Sequence, residues 1–223
     1  MRITSFLGPV ALAALIGAPA VAADASTPLG TVQLQVRLRA ENVEEAAFAA
    51  DATAVTVRTR LTWTSPAWRG WQLVVEGDDL RALDEQGYAS TANGVATRPV
   101  IADPVGTEVN RAQLEWKRPQ LELALGRQRI TLDDQRFVGN VGWRQNEQTY
   151  DGATLRWHAS PRIDVTAAWV ANVNRVFGPR TGTQAADWHG DTALLNLRAK
   201  LGRFGDLALF HYDLRFDNSA ITH

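Results

Sequence analysis

The sequence contains no cysteine, so disulfide frameworks, thiolate-ligated metals, cysteine nucleophiles and lipidated cysteines are all excluded. Lysine is almost absent as well, since Lys117 and Lys200 are the only two, and arginine therefore carries nearly all of the positive charge. Basic and acidic side chains balance, 23 against 24, which argues against a nucleic-acid partner held by a global basic field. Beyond the N-terminus there is no apolar run of about 18 residues, the length that a transmembrane helix needs.

The N-terminal segment has the form of a secretory signal peptide. Arg2 supplies a positive charge, residues 6–16 are apolar, and small residues at 20–23 provide a cleavage site before Asp24. We therefore predict a signal peptide at 1–23 and an exported domain at 24–223.

Apolar and polar side chains alternate along most of the exported domain, which predicts β-strands that separate two different environments. The first strand begins at Thr31, with apolar side chains at 32, 34, 36 and 38 and Gln or Arg between them. Eight further segments show the same alternation: 55–63, 71–76, 111–117, 121–125, 153–158, 163–169, 192–198 and 207–216. Nine strands are thus expected.

The connections between these strands alternate between short and long. Short connections are expected at 65–70, 118–120, 159–162 and 201–205, and long polar ones at 41–53, 78–107, 127–147 and 172–190. All the long loops then lie at one end of the sheet, as in outer-membrane barrels, which have short periplasmic turns and long outer loops.

Tryptophan placement points to the same architecture. Trp63, Trp71, Trp116 and Trp157 all lie beside short connections on the apolar side of their strands, where they would form an aromatic girdle at the membrane boundary. Tyr212 is expected on the same lipid-facing side toward the opposite rim.

We therefore predict an all-β fold, a transmembrane antiparallel up-and-down β-barrel located in the cell outer membrane. The chain ends at His223 after an odd ninth strand, whereas bacterial barrels usually have an even number, so we expect a fragment of a larger barrel. A smaller barrel with one strand miscounted is the alternative to a fragment, and a secreted soluble β-sandwich is the alternative fold.

In a barrel the polar side of each strand faces the lumen. Arg37, Arg58, Arg60 and Arg111 fall on that side near mid-depth and could form one basic patch that favours anions. The alternative is that these arginines pair with Glu76, Glu115 and Glu122 of adjacent strands and only stabilise the wall.

The segment 126–152 is the most distinctive part of the chain. It contains Gly-Arg-Gln-Arg-Ile from 126, Asp-Gln-Arg-Phe-Val-Gly from 134 and Gly-Trp-Arg-Gln-Asn-Glu from 142. These residues resemble the alginate export family of Gram-negative outer-membrane barrels. The resemblance implies a monomeric barrel of about eighteen strands whose arginine-lined pore, restricted by loops, passes anionic polysaccharide or related anionic solutes.

The family's pore-lining arginines would correspond here to Arg111, Arg127, Arg129, Arg136 and Arg144. Strict counting of the pleat from Leu125 turns Arg127 toward the lipid, so a bulge at Gly126, or a strand end there, would be needed to bring it into the lumen.

No enzyme motif is present: the sequence lacks HExxH, GxSxG and GxxxxGK[ST]. We therefore expect no catalysis, no cofactor and no metal, and partners limited to outer-membrane lipid and an anionic polysaccharide or small anionic solute. A structural or adhesive barrel with polysaccharide-binding loops is the alternative function.

Overall fold

The computed structural model describes residues 12–17 and 21–219. Its strands are β1 (Leu12–Gly17), β2 (Val21–Thr27), β3 (Gly30–Glu44), β4 (Ala52–Thr64), β5 (Trp71–Ala82), β6 (Gly106–Arg118), β7 (Leu121–Gln128), β8 (Thr149–Ser160), β9 (Ile163–Asn174), β10 (Asp187–Lys200) and β11 (Asp206–Asp213). They form one sheet.

Within that sheet, β3 to β11 follow one another in chain order, each antiparallel to the next. This arrangement confirms the predicted up-and-down antiparallel fold, with the nine predicted strands in place. The sheet is not closed, and β11 lies at one edge of the described part. A sandwich needs a second sheet packed on the first, and the described residues contain only one.

The alternation of short and long connections is also present. The short ones are 65–70, 119–120, 161–162 and 201–205, and the long ones are 83–105, 129–148 and 175–186. The first loop, at 45–51, is shorter than the predicted 41–53 because β3 and β4 continue to pair as far as Val43 and Ala52.

The predicted signal peptide overlaps β1 and the start of β2, which both pair with the same edge of β3. Residues 1–11 and 18–20 of that segment lie outside the described residues, as do 220–223. The signal peptide stays a prediction, and cleavage after residue 23 would remove β1 from the edge of β3.

The two faces of the sheet are the reverse of those in a water-soluble protein. The outer face is apolar and uncovered: Leu61 is 53% exposed, Trp157 50% and Leu195 49%. The inner face is polar and covered, so that Arg39 is 1% exposed and Asn196 2%. An exposed apolar band around a polar interior is the arrangement of a membrane barrel.

The outer face changes character toward both ends of the strands. Trp63, Trp71, Trp116 and Trp157 lie on it beside the short connections, with the Trp71 and Trp116 ring centroids 6.1 Å apart. Toward the long loops it becomes polar, beginning on β5 at Asp79. Trp71 to Asp79 is about 26 Å of extended strand, which at the roughly 40° tilt of barrel strands spans about 20 Å along the membrane normal and so fits within the roughly 25 Å height of a barrel's apolar band.

One predicted side-chain orientation is wrong. Tyr212 pairs with Leu194 and therefore faces the inner side, where its hydroxyl accepts a hydrogen bond from Asn196 at 3.4 Å and its ring stacks on Phe210. The stretch from Leu207 is apolar at successive positions, so the sequence alone does not fix its register.

No helix in the described part of the chain is long and apolar enough to cross a membrane. The one helical element there is a 3-10 turn, Gly202–Phe204, in the short connection between β10 and β11.

Gly126 holds a backbone conformation that other residues adopt only with strain. Its φ is +106°, and a Cβ placed there would lie 2.4 Å from the carbonyl oxygen of Ala112 on β6. Gly126 also pairs with Gly152 of β8, which leaves room for Gln128 to fold back and donate to the Gly126 and Gly152 carbonyls.

Gly126→Ala should therefore destabilise the barrel by about 1–3 kcal/mol, as expected for a forced strained backbone. The measurement is denaturant-dependent unfolding in detergent micelles, followed by the heat-modifiable gel mobility of the folded form. Gly77→Ala is the matched control, because Gly77 also lies in a strand and its Cβ would meet only Glu108 at an ordinary 3.6 Å. Equal stability of the two variants would contradict this account.

Candidate functional site

The long connection 129–148, here called the inner loop, lies across the inner face of the sheet. Arg37 on β3 donates hydrogen bonds to three consecutive carbonyl oxygens of this loop, Gly142 at 3.2 Å, Trp143 at 2.8 Å and Arg144 at 3.0 Å. The connection between β7 and β8 therefore extends back to β3 and lies against the inner face of the sheet.

Gln145 fixes the middle of the inner loop to β4. It is fully buried, its side-chain amide donates to the Thr56 hydroxyl at 2.9 Å, and its backbone carbonyl oxygen accepts from Arg58 at 3.1 Å. These contacts replace the water that would otherwise hydrate the polar face of the strand.

Glu147 is the ionic anchor of the inner loop. Its carboxylate accepts from Arg60 at 2.6 Å and from Arg129, and Arg58 lies 3.8 Å away. Burial alone would raise the pKa of Glu147, but the charges of Arg60 and Arg129 outweigh it and lower the pKa to about 2. The anchor is therefore ionised throughout the physiological range.

Glu76 on β5 is a second buried carboxylate beside the first. Arg60 and Arg111 lie 3.4 and 3.5 Å from it, and Arg129 donates to it as well. The register of β5 with β6 shifts at this level, which turns both Asn110 and Arg111 toward Glu76. Arg60 and Arg129 thus join the two carboxylates into one network.

A third group of charges lies nearer the long-loop end. Arg39 pairs with both Glu41 and Asp103, and Arg144 lies 3.6 Å from Glu41. The guanidinium groups of Arg39 and Arg144 are 5.2 and 4.1 Å from the ring centroid of Trp143, a cation–π arrangement.

Asp103 belongs to the long connection 83–105, which also folds onto the inner face. Tyr88 of this loop is fully buried and donates its hydroxyl hydrogen to the Asp103 carbonyl at 2.9 Å, and burial raises the pKa of this tyrosine. Tyr88 packs with Ile101 against the start of β4. Two loops therefore narrow the space inside the sheet.

These contacts define the inner cluster. Its arginines are Arg37, Arg39, Arg58, Arg60, Arg111, Arg129 and Arg144, and its carboxylates are Glu41, Glu76, Asp78, Asp103 and Glu147. Positive charge exceeds negative charge by two when all are ionised. The pairing alternative is thus correct for Glu76, whereas Glu115 contacts Lys117 and Glu122 lies nearest His158.

Six of the eight predicted pore-lining arginines lie in this cluster, and two do not. Arg127 is on the outer face, where it is paired with Asp151 at 2.7 Å. The pleat continues through Gly126 without a bulge between β7 and β8, so the prediction that Arg127 lines the pore is wrong. Arg136 is exposed and lies 3.5 Å from Asp134 of the inner loop itself.

The sequence reasoning missed Arg39, Asp103, Gln145 and Glu147. Arg39 could have been predicted from the sequence, since it lies two positions from Arg37 on the same side of the strand. The other three lie in loops, where no periodic pattern indicates which way a side chain points. Among residues 12–17 and 21–219, no group of three or more His, Asp or Glu is arranged to hold a metal ion.

Glu147→Gln should release the inner loop, because it leaves Arg60 and Arg129 without one of their carboxylates. Breaking a buried ion pair costs about 3–5 kcal/mol, so the variant should become open to trypsin at Arg144, whose side chain is only 16% exposed in the wild type. The measurement is limited proteolysis of the protein folded in detergent, read by mass spectrometry. Asp134→Asn, which removes an exposed pair from the same loop, is the control, and identical cleavage of both variants would refute the anchor.

The same anchor sets a pH dependence. Because the pKa of Glu147 is lowered from its ordinary 4.5 to about 2, its stabilisation is complete above pH 4.5 and is lost as pH falls toward 2. A nitroxide on Arg136→Cys, the single cysteine in the chain, should stay equally restrained from pH 7 to 5 and become mobile between pH 4 and 2. Mobility that rises near pH 6 would contradict this assignment.

Comparison with known proteins identifies the family. The model of the alginate export family matches residues 29–218, which covers most of the chain. No curated protein and no solved structure matches it. The chain therefore belongs to the alginate export family, whose members have a general role in outer-membrane export and form a transport rather than an enzyme family.

Proposed function

We propose that the inner face of this sheet lines an anion-selective channel of the outer membrane through which alginate or a related anionic polysaccharide or solute passes. The observation that carries the proposal is the reversed sheet, apolar outside and arginine-rich inside, with the inner loop held across the polar face. The protein would reach the membrane after removal of residues 1–23 and periplasmic transit, and function as a monomeric barrel.

The charge distribution supports selectivity for anions. Most arginines of the inner cluster are paired, so they contribute a modest net positive field and not seven free charges. Arg37 donates only to loop carbonyls and has no carboxylate partner in the described part of the chain. A narrow path with a small positive excess favours anion entry without binding so tightly that passage stops.

The inner loop would act as the constriction of this channel. It is held at three levels, by Arg37, by Gln145 and by Glu147, so its position depends on several independent contacts. A fixed constriction keeps the charged side chains close to any solute that passes, and electrostatic selection is strongest where the path is tight.

Planar-bilayer recording tests this function. Under a KCl gradient, the protein purified from outer membranes should show a reversal potential displaced toward the chloride equilibrium potential, and an anionic uronate polymer should interrupt the current. A reversal potential displaced toward potassium would overturn the selectivity. Absence of any current in folded protein would favour the adhesive alternative.

A further inference from the structure

Arg156 on β8 is a cation without an ionic partner. Its side chain faces inward on the short-connection side of the inner cluster, and in the part of the chain that the structure describes no carboxylate lies within 4.0 Å of it. Its cross-strand neighbour, Glu122, lies instead 3.6 Å from His158. Arg156 thus differs from Arg60 and Arg129, whose guanidinium groups are already occupied by carboxylates.

Buried polar atoms without a partner lie in the same place. Gln113, 5% exposed, has an unpaired side-chain carbonyl oxygen, Thr154, 4% exposed, has an unpaired hydroxyl, and Arg111 has an unpaired Nε. All three residues line, together with Arg156, one cavity of about 150 Å³ between β6, β7 and β8. Glu115, which is paired with Lys117, and Glu122 line the same cavity. Buried polar atoms are normally paired, so this set indicates a site that a polar ligand completes.

We propose that this cavity, here called the wall subsite, binds a hydroxy acid group of the transported solute. The carboxylate would be held by the guanidinium of Arg156, whose planar fork can donate two parallel hydrogen bonds. A neighbouring hydroxyl of the solute would donate to the Gln113 oxygen and accept from Thr154. A sugar acid carries both groups close together, so the subsite selects uronates over simple anions.

The wall subsite rests on the proposed function, and it places solute recognition and the constriction on different residues. Most charges of the inner cluster are paired and hold the loop, so a solute that binds there must break existing ion pairs. Arg156 has no such pair to break and therefore exchanges solute freely. Recognition is thus assigned to the wall subsite and the constriction to the inner cluster.

Block of the chloride current by glucuronate tests the proposal, with glucose as the neutral ring of similar size. Glucuronate should block the wild-type channel and glucose should not. Arg156→Gln should weaken the glucuronate block at least tenfold, and Arg156→Lys, which keeps the charge without the fork, should give an intermediate loss. Arg203→Gln in the short connection 201–205 is the control that removes one positive charge elsewhere.

The hydroxyl contact has a test of its own. Thr154→Val should weaken the glucuronate block several-fold and leave the block by acetate, which has no hydroxyl, unchanged. Heat-modifiable gel mobility shows that each variant is folded. If glucuronate blocks Arg156→Gln and Arg203→Gln equally in a channel that is anion-selective, the wall subsite is wrong and the proposed function stands. If the wild-type channel prefers cations, the proposed function itself fails.

Discussion

The placement of Glu147 between Arg60 and Arg129 is the interaction on which the interior depends. It joins a loop to a strand that is distant in the sequence, and it does so where burial makes charges costly to leave unpaired. Since Glu76 shares the same two arginines, the loop, β4 and β5 form one connected polar network. The outer face needs nothing comparable, because lipid can cover it.

This network explains why an arginine-rich wall does not repel itself. Each buried guanidinium near mid-depth has a carboxylate or a row of carbonyl oxygens within reach, so the wall and the loops assemble as complementary layers. The cost is that few of these charges remain free to attract a solute. Selectivity then depends on the small positive excess and on side chains outside the network, of which Arg156 is the clearest case.

The strands of the sheet could be predicted from the sequence more fully than the contacts on its inner face. Period-two alternation identified the strands from β3 to β10, and pleat counting correctly turned Arg127 outward, because both depend on local geometry alone. The register of β11 was ambiguous, since apolar residues occupy both sides of its first half. The position of the inner loop on the inner face could not be predicted from the sequence. Glu147 and Arg60 are far apart in the chain, and only the folded sheet brings them into contact.

The assignment of the two faces is the central claim, and the absence of native cysteine makes it directly measurable. Nitroxides placed singly at Leu61→Cys and Leu155→Cys on the outer face, and at Glu122→Cys on the inner face, report which relaxant reaches them in a bilayer. The account predicts collisions with lipid-soluble oxygen at the two leucine positions and with a water-soluble nickel chelate at Glu122. Equal access of the nickel chelate to all three positions would contradict it.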